Sequence, residues 1–257
     1  MTRLLSGVVL AAGALASILF LPPTALRLVV VALALLGMRE LLGMAGTSTR
    51  GATSWLPYGF AAAVAWTWGG DAPRADLVLF GALGILLIEV LFAGRPFPDA
   101  AATVAGGLYV GLPLGVLAAI HAMRGRDAVL LLLGAVVVSD SSQYYTGRLL
   151  GRRPLAPSVS PKKTIEGALG GVVFGTAAMV LGGSYVLPDV PRAALAGIGV
   201  AIVALGICGD LFESRMKRAA GIKDSSNLIP GHGGVLDRID ALLFAAPAFY
   251  LFLVQWA

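Results

Sequence analysis

The chain has 257 residues, of which 58% are hydrophobic and only 13% charged, and its mean hydropathy is +0.86. So apolar a composition excludes a water-soluble globular domain, and a lone cysteine excludes an internal disulfide. The net charge of +5 matters less than where the charges sit, and nothing points to nucleic acid as a partner.

Apolar runs near 20 residues, each able to cross a bilayer as a helix, recur near residues 4–22, 26–45, 55–70, 77–93, 101–122, 127–148, 166–187, 193–212 and 239–257. The expectation is an all-α, polytopic integral membrane protein with about nine transmembrane helices, built as a single domain over residues 1–257. The first run, MTRLLSGVVLAAGALASILFLPP, has an early Arg and small residues, as cleaved signal peptides do. Its length and the spans that follow favour a retained helix. The third run is short and rich in Gly and Trp. The 34 glycines suit helices that pack closely in lipid. Cys208, at the end of the eighth run, is expected to be buried as a small apolar residue.

Five of the 19 Lys and Arg fall in Arg148–Lys163 and five in Arg215–Arg238. The positive-inside rule places both regions in the cytoplasm, with the N-terminus inside and the C-terminus outside. Arg124 and Arg126 then fall on the outer side, against the rule. The chain's compactness and lack of a targeting signal point to a bacterial source, hence to the inner membrane with the polar site facing the cytoplasm.

Ionisable side chains within spans are costly and commonly functional. Arg39 and Glu40 end the second run, where a snorkelling pair at the headgroups and a functional role weigh equally for Glu40. Glu89 has Arg95 nearby and reads as an interfacial ion pair. Asp140 is the clearest case: Asp140, Gln143, Tyr144 and Gly147 share one helical face, so that a carboxylate, an amide and a phenol are expected to converge on one interior spot.

In RRPLAPSVSPKKTIEGALGG (152–171), Ser160 followed by Pro161 reads as a capped helix start. Lys162 and Lys163 then lie in the first turn, against the helix dipole, where a bound anion would compensate them. Residues 210–240, DLFESRMKRAAGIKDSSNLIPGHGGVLDRID, carry five acids, five bases and a histidine. Asp210, Glu213, Ser214 and Lys217 share a face where one span leaves the membrane, and Asp237 and Asp240 share one where the next enters. Between them, Pro230-Gly231-His232-Gly233-Gly234 lets backbone N–H groups approach a ligand closely. Hard carboxylate oxygens suit Mg²⁺, which takes one or two protein carboxylates plus substrate phosphates. Lys217, Arg218, Lys223 and Arg238 suit those phosphates. The pattern points to a polyphosphate and a divalent metal.

Ser214-Arg-Met-Lys-Arg218, Lys223-Asp224 and Pro230-Gly-His-Gly-Gly-Val-Leu-Asp-Arg-Ile-Asp240 resemble the signature of phosphatidate cytidylyltransferases, the CDP-diacylglycerol synthases. Asp140-Ser and Ser160-Pro-Lys-Lys-Thr-Ile-Glu-Gly167 resemble the same family. The resemblance covers the chain from about residue 139; residues 1–125 match only as generic membrane helices, so residues 126–257 would carry the catalytic helices and loops. Gln143 departs from the family, where a small residue often follows Asp-Ser. The resemblance implies the reaction CTP + phosphatidate → CDP-diacylglycerol + pyrophosphate, with Asp210 and Asp237 as Mg²⁺ ligands. A second cation, such as K⁺, is implied near Asp140 and the lipid phosphate. Ser160, Lys162, Lys163, Ser214, Lys217, Arg218, Lys223, Asp224, His232, Gly233, Gly234 and Arg238 are the expected substrate contacts. Asp140, Lys163, Lys217, His232 and Asp237 are the expected catalytic set, with His232 a hydrogen-bond donor to phosphate rather than a base. A homodimer is a further expectation that the resemblance implies. Two other readings compete: a CTP-dependent enzyme acting on another membrane lipid, and a transporter built on broken helices.

Overall fold

The computed structural model describes residues 2–46, 54–70 and 73–256. Among them, helices Thr2–Phe20 (α1), Pro23–Ala45 (α2), Leu56–Trp68 (α3), Ala75–Leu87 (α4), Phe97–Leu150 (α5), Ile165–Val186 (α6), Arg192–Ala219 (α7) and Leu236–Gln255 (α8) take up nearly all of the chain. A π-helical turn, Ile88–Phe92, extends α4. The helices coincide with the apolar runs of the sequence. The runs at 101–122 and 127–148 are the two arms of α5, a 54-residue helix broken at Gly125, whose φ of 77° and ψ of 179° interrupt the helical path. Pro23–Ala45, Ala75–Phe92, Phe97–Leu150, Ile165–Val186 and Arg192–Ala219 are long and apolar enough to cross a membrane. Leu79, Phe80 and Leu83 on α4 are more than half exposed, a surface suited to lipid and not to water. The protein is an integral membrane protein of helical architecture.

The described residues form two compact units, Met1–Met123 with Ala220–Arg238, and Arg124–Ala219 with Ile239–Ala257. In the first, Gly107, Gly111 and Gly115 recur every fourth residue along α5. A β-carbon at Gly111 would stand 2.6 Å from the Ala61 carbonyl oxygen, and one at Gly115 would stand 2.6 Å from that of Ala65. The stripe therefore lets α3 and α5 touch backbone to backbone. Met38, Leu42 and Ala61 pack beside it, as do Phe60, Val64, Val78 and Ala82. Glu89, carried inward by the π turn, is fully buried. It accepts hydrogen bonds from Arg95 Nη1 at 2.8 Å and Thr103 Oγ1 at 3.3 Å. The expected ion pair is present, but inside the protein rather than at the interface.

In the second unit, Gly167, Gly171, Gly175 and Gly183 form a buried stripe along α6. A β-carbon at Gly171 would meet Gln143 Cγ at 2.5 Å, and one at Gly175 would meet Val203 at 2.6 Å and Ser139 at 2.9 Å. This close approach fixes the Ser139–Gln143 turn of α5 against α6. A short antiparallel hairpin, Pro154–Ala156 (β1) and Ser160–Thr164 (β2), links α5 to α6. Its turn closes with Val159 N–H donating to the Ala156 carbonyl at 3.1 Å, with Pro157 at the second position, where its fixed φ is favoured.

The hairpin corrects one expectation. Ser160 does not cap a helix, and Lys162 and Lys163 do not lie in a first helical turn: all three are on β2. The helix starts at Ile165, and Thr164 is its cap, accepting from Gly167 N–H at 3.1 Å. The pairing of Ser160 with Ala156 and of Thr164 with Pro154 holds the segment extended until a β-branched hydroxyl residue can end it. Cys208 is a second correction. It is exposed on α7, where an apolar thiol is as well accommodated by lipid as by a protein core.

Candidate active site

The glycine loop belongs to the first unit. Gly231 and Gly233 adopt φ of 77° and 79°, a left-handed conformation that glycine takes without strain. An isolated bridge pairs Ile229 with Gly233. Lys223, Asp224, Asn227, His232, Gly233 and Arg238 line a cavity of about 400 Å³, in which Lys223 and Arg238 are exposed cations. His232 Nδ1 lies 2.9 Å from Ser6 Oγ, which donates to the Pro230 carbonyl at 2.9 Å.

Two carboxylates hold this loop from beneath. Asp237, in the first turn of α8, accepts at Oδ2 from Ser225 N–H, Ser225 Oγ and Gly234 N–H, each at 2.8 Å. Glu40, buried on α2, accepts from Ser225 Oγ at 3.0 Å, Ser226 Oγ at 2.7 Å, Val235 N–H at 2.9 Å and Leu236 N–H at 2.8 Å. Gly234 lies so close that any side chain there would collide with Ser225 Oγ and both Glu40 oxygens. Glu40 is therefore no headgroup partner of Arg39, which is exposed. The unsatisfied N–H groups at the start of α8 draw the carboxylate inward.

The second unit holds a different constellation. Asp140, Asp210 and Asp240 lie within electrostatic reach of one another, with Lys163 and Lys217 the cations among them. Lys163 Nζ is ion-paired with Asp210 Oδ2. Ser214 Oγ donates to Asp210 Oδ1 at 3.3 Å. Lys162, beside Lys163 on β2, is exposed, as is Pro161, whereas Lys163 and Thr164 are partly buried. Asp240 approaches because Gly209 has no side chain: a β-carbon there would stand 2.5 Å from the Asp240 carbonyl oxygen. Gln143 Nε2 donates to Asp140 Oδ1 at 3.0 Å and to Ser139 Oγ at 3.2 Å. Asp140 and Gln143 thus meet as expected, but Tyr144 does not join them. It is 60% exposed and receives Arg148 Nη1 at 3.3 Å, because the glycine stripe packs on the Ser139–Gln143 side of the helix. Lys217 is turned inward, 3.1 Å from the buried carboxylate of Glu213, while Arg218 is exposed.

Asp140, Asp210 and Asp240 present only hard oxygen donors, and the Lys163 ammonium already sits on Asp210 as a cation would. Among the described residues, no three acidic, histidine or cysteine side chains are placed to hold an ion by themselves. Asp140, Asp210 and Asp240 are the residues that could offer oxygen to a hard cation, a class that takes one or two protein carboxylates and completes its shell with water and substrate phosphate.

A model of the cytidylyltransferase family matches residues 1–256. The chain belongs to that family. It is 43% identical over 123 residues to a phosphatidate cytidylyltransferase of Aquifex aeolicus, covering 48% of this chain and 46% of that protein. It is 33% identical over 190 residues to the phosphatidate cytidylyltransferase of Bacillus subtilis, covering 72% and 70%. It is also 45% identical over 130 residues to the uncharacterized protein YnbB of Escherichia coli, covering 50% and 43%. The matched stretch spans about half the length of the first of these relatives and of YnbB.

Within this cytidylyltransferase-family chain, sequence reasoning missed Ser6, Ser225 and Ser226, and left Glu40 evenly weighed between a headgroup ion pair and a functional role. Glu40 and its partners are separated by 185 to 196 residues, too far for any local pattern to join them. The one available signal was a glutamate late in an apolar run. Gln143 fills the place against Gly171 and donates to Asp140.

Proposed function

We propose that this cytidylyltransferase-family protein transfers the cytidylyl group of CTP to phosphatidate, yielding CDP-diacylglycerol and pyrophosphate. The observation that carries the reading is the cavity over the glycine loop, where Lys223 and Arg238 flank a backbone that takes left-handed conformations at Gly231 and Gly233. Such a concave, cationic, glycine-lined surface suits a polyphosphate. The phosphatidate cytidylyltransferases of Aquifex and Bacillus to which the chain is similar support the choice of reaction.

A phosphatidate oxygen attacks the α-phosphorus of CTP, forming the new P–O bond while the bond from that phosphorus to the β-phosphate bridging oxygen breaks and pyrophosphate departs. The attacking phosphate is already anionic, so no side chain need remove a proton, and catalysis depends on positioning and charge neutralisation. Lys223 and Arg238 bind phosphate oxygens. His232 lines the same cavity and is assigned as a hydrogen-bond donor to phosphate, with its ring edge close to Gly7 of α1. Lys163 holds Asp210 in place and neutralises charge beside it. Mg²⁺ is the cofactor we assign, held by Asp210, with Asp140 for a second cation such as K⁺; bound there, it would polarise phosphate oxygens as a Lewis acid. Family resemblance alone would add Asp237 as a ligand, but its Oδ2 is engaged by three hydrogen bonds within the loop, and we assign it to bracing that loop. The site is assigned to the cytoplasmic side of the inner membrane, where Arg148–Lys163 and Arg215–Arg238 satisfy the positive-inside rule.

The test is pyrophosphate release from CTP by purified protein in detergent, with and without phosphatidate and Mg²⁺. Turnover that requires all three is the expected result. CTP binding without release on phosphatidate would mean a different lipid acceptor, and neither binding nor release would refute the reading.

A further inference from the structure

We propose that Glu40 is a positioning residue for the nucleotide, setting the shape of the glycine loop from a helix on which sequence places no motif. This rests on the CTP reading above. Glu40 is 5% exposed, and its four donors are neutral: two serine hydroxyls and the first two backbone N–H groups of the α8 start. A buried carboxylate is tolerated when hydrogen bonds satisfy it, and here every one of those donors lies in residues 225–236. Ser225 links the two acids: its Oγ stands 3.0 Å from Glu40 and 2.8 Å from Asp237, and its N–H donates to Asp237 as well. Its single hydroxyl hydrogen serves one acid at a time, so the pair acts as one connected network. Gly234 is clamped between them.

Glu40 does not line the cavity of Lys223, His232 and Arg238. It lines a separate cavity of about 320 Å³ on the α2 side of the loop, with Leu36, Arg39, Ser225 and Ser226. Its effect on substrate must therefore pass through Ser225, Ser226 and Gly234 to the residues beside them. A group that acts this way changes how well the nucleotide is held, and leaves the lipid acceptor unaffected.

The test compares Glu40→Gln, Glu40→Asp and Ser226→Ala with Glu89→Gln, which alters another buried carboxylate of the same unit remote in sequence from the loop. Glutamine keeps the length but turns an amide donor toward four donors. We expect Glu40→Gln to raise the KM for CTP on the order of tenfold, the ratio matching loss of one charge-assisted hydrogen bond. The KM for phosphatidate should stay near wild type. Glu40→Asp should recover part of the loss, and Ser226→Ala should shift the CTP KM in the same direction by less. Glu89→Gln should lower thermal stability with no change in CTP KM. Amide hydrogen exchange should quicken at Ser225 and Gly234–Leu236 in Glu40→Gln and not in Glu89→Gln. A wild-type CTP KM in Glu40→Gln, or a loss of activity matched by Glu89→Gln and by loss of folded protein, would overturn the proposal. A wild-type protein that never uses CTP would instead overturn the functional reading on which it rests.

Discussion

Replacing Asp237 with asparagine keeps the side chain's shape and removes its charge, which separates two roles that the carboxylate is able to fill. Its Oδ2 accepts three hydrogen bonds at 2.8 Å, two from Ser225 and one from Gly234. Hydrogen bonds to a charged group contribute about 1.5–3 kcal/mol, against about 0.5–1.5 kcal/mol for neutral pairs. The three share one oxygen, so their losses do not add fully, and the loop should lose about 2 kcal/mol. At about 1.4 kcal/mol per tenfold, that lowers the population of the formed loop by a factor on the order of thirty wherever the loop is marginal. The CTP KM of Asp237→Asn should rise accordingly, with faster amide exchange at Ser225 and Gly234. The assay is steady-state pyrophosphate release over a matrix of CTP and Mg²⁺ concentrations, read beside exchange. Saturating CTP should restore much of the rate if Asp237 acts through the loop. A collapse of kcat that CTP does not restore, with loop protection intact and the Mg²⁺ requirement shifted, would refute the bracing argument and give Asp237 to the cation. Unchanged kinetics and unchanged exchange would refute both.

Gly234→Ala should destabilise the loop by about 1–3 kcal/mol, the usual range for overpacking, because its methyl group would collide with Ser225 Oγ and the Glu40 carboxylate; unaltered CTP use and exchange would show that the loop relaxes freely. Lys163→Gln should lower kcat/KM by at least about tenfold, the loss of roughly 1.4 kcal/mol of charge stabilisation, since Asp210 would lose its ion pair. Lys162→Gln, on the exposed face of the strand, should change kcat/KM by less than about threefold, as surface charges generally do, and equal effects of the two substitutions would refute the assignment.

Much of the fold was legible because a bilayer imposes one rule on every span. Backbone groups must be satisfied within the segment, so an apolar run near 20 residues has to be a helix, and the observed helices coincide with those runs. The hairpin was less legible. Ser160-Pro161 has the chemistry of a helix start, and nothing local shows that β1 will pair with the segment and keep it extended as far as Thr164. Tyr144 was misplaced for a related reason. Helical periodicity put Asp140, Gln143 and Tyr144 on one side, but the side that is buried was chosen by Gly167, Gly171 and Gly175 on another helix. Periodicity defines a face; only the partner says which part of it is covered.

The site shows the same division between local chemistry and distant support. The residues expected to meet substrate are crowded into residues 140–240, because charge and glycine must stand close together to bind phosphate, and crowding is visible in sequence. Residues that hold them in place need only be present at the right point in space. Ser6 reaches His232 across 226 residues, and Glu40 reaches Leu236 across 196. Each supplies oxygen to a loop whose own residues are too short or too flexible to satisfy it: Gly231, Gly233 and Gly234 have no side chains, and the N–H groups that open α8 have no helical partner. A loop rich in glycine gains close approach to a ligand and loses the means to fix its own shape. The shape must then be imposed from outside, and α1 and α2, which carry no phosphate-binding motif, provide that constraint.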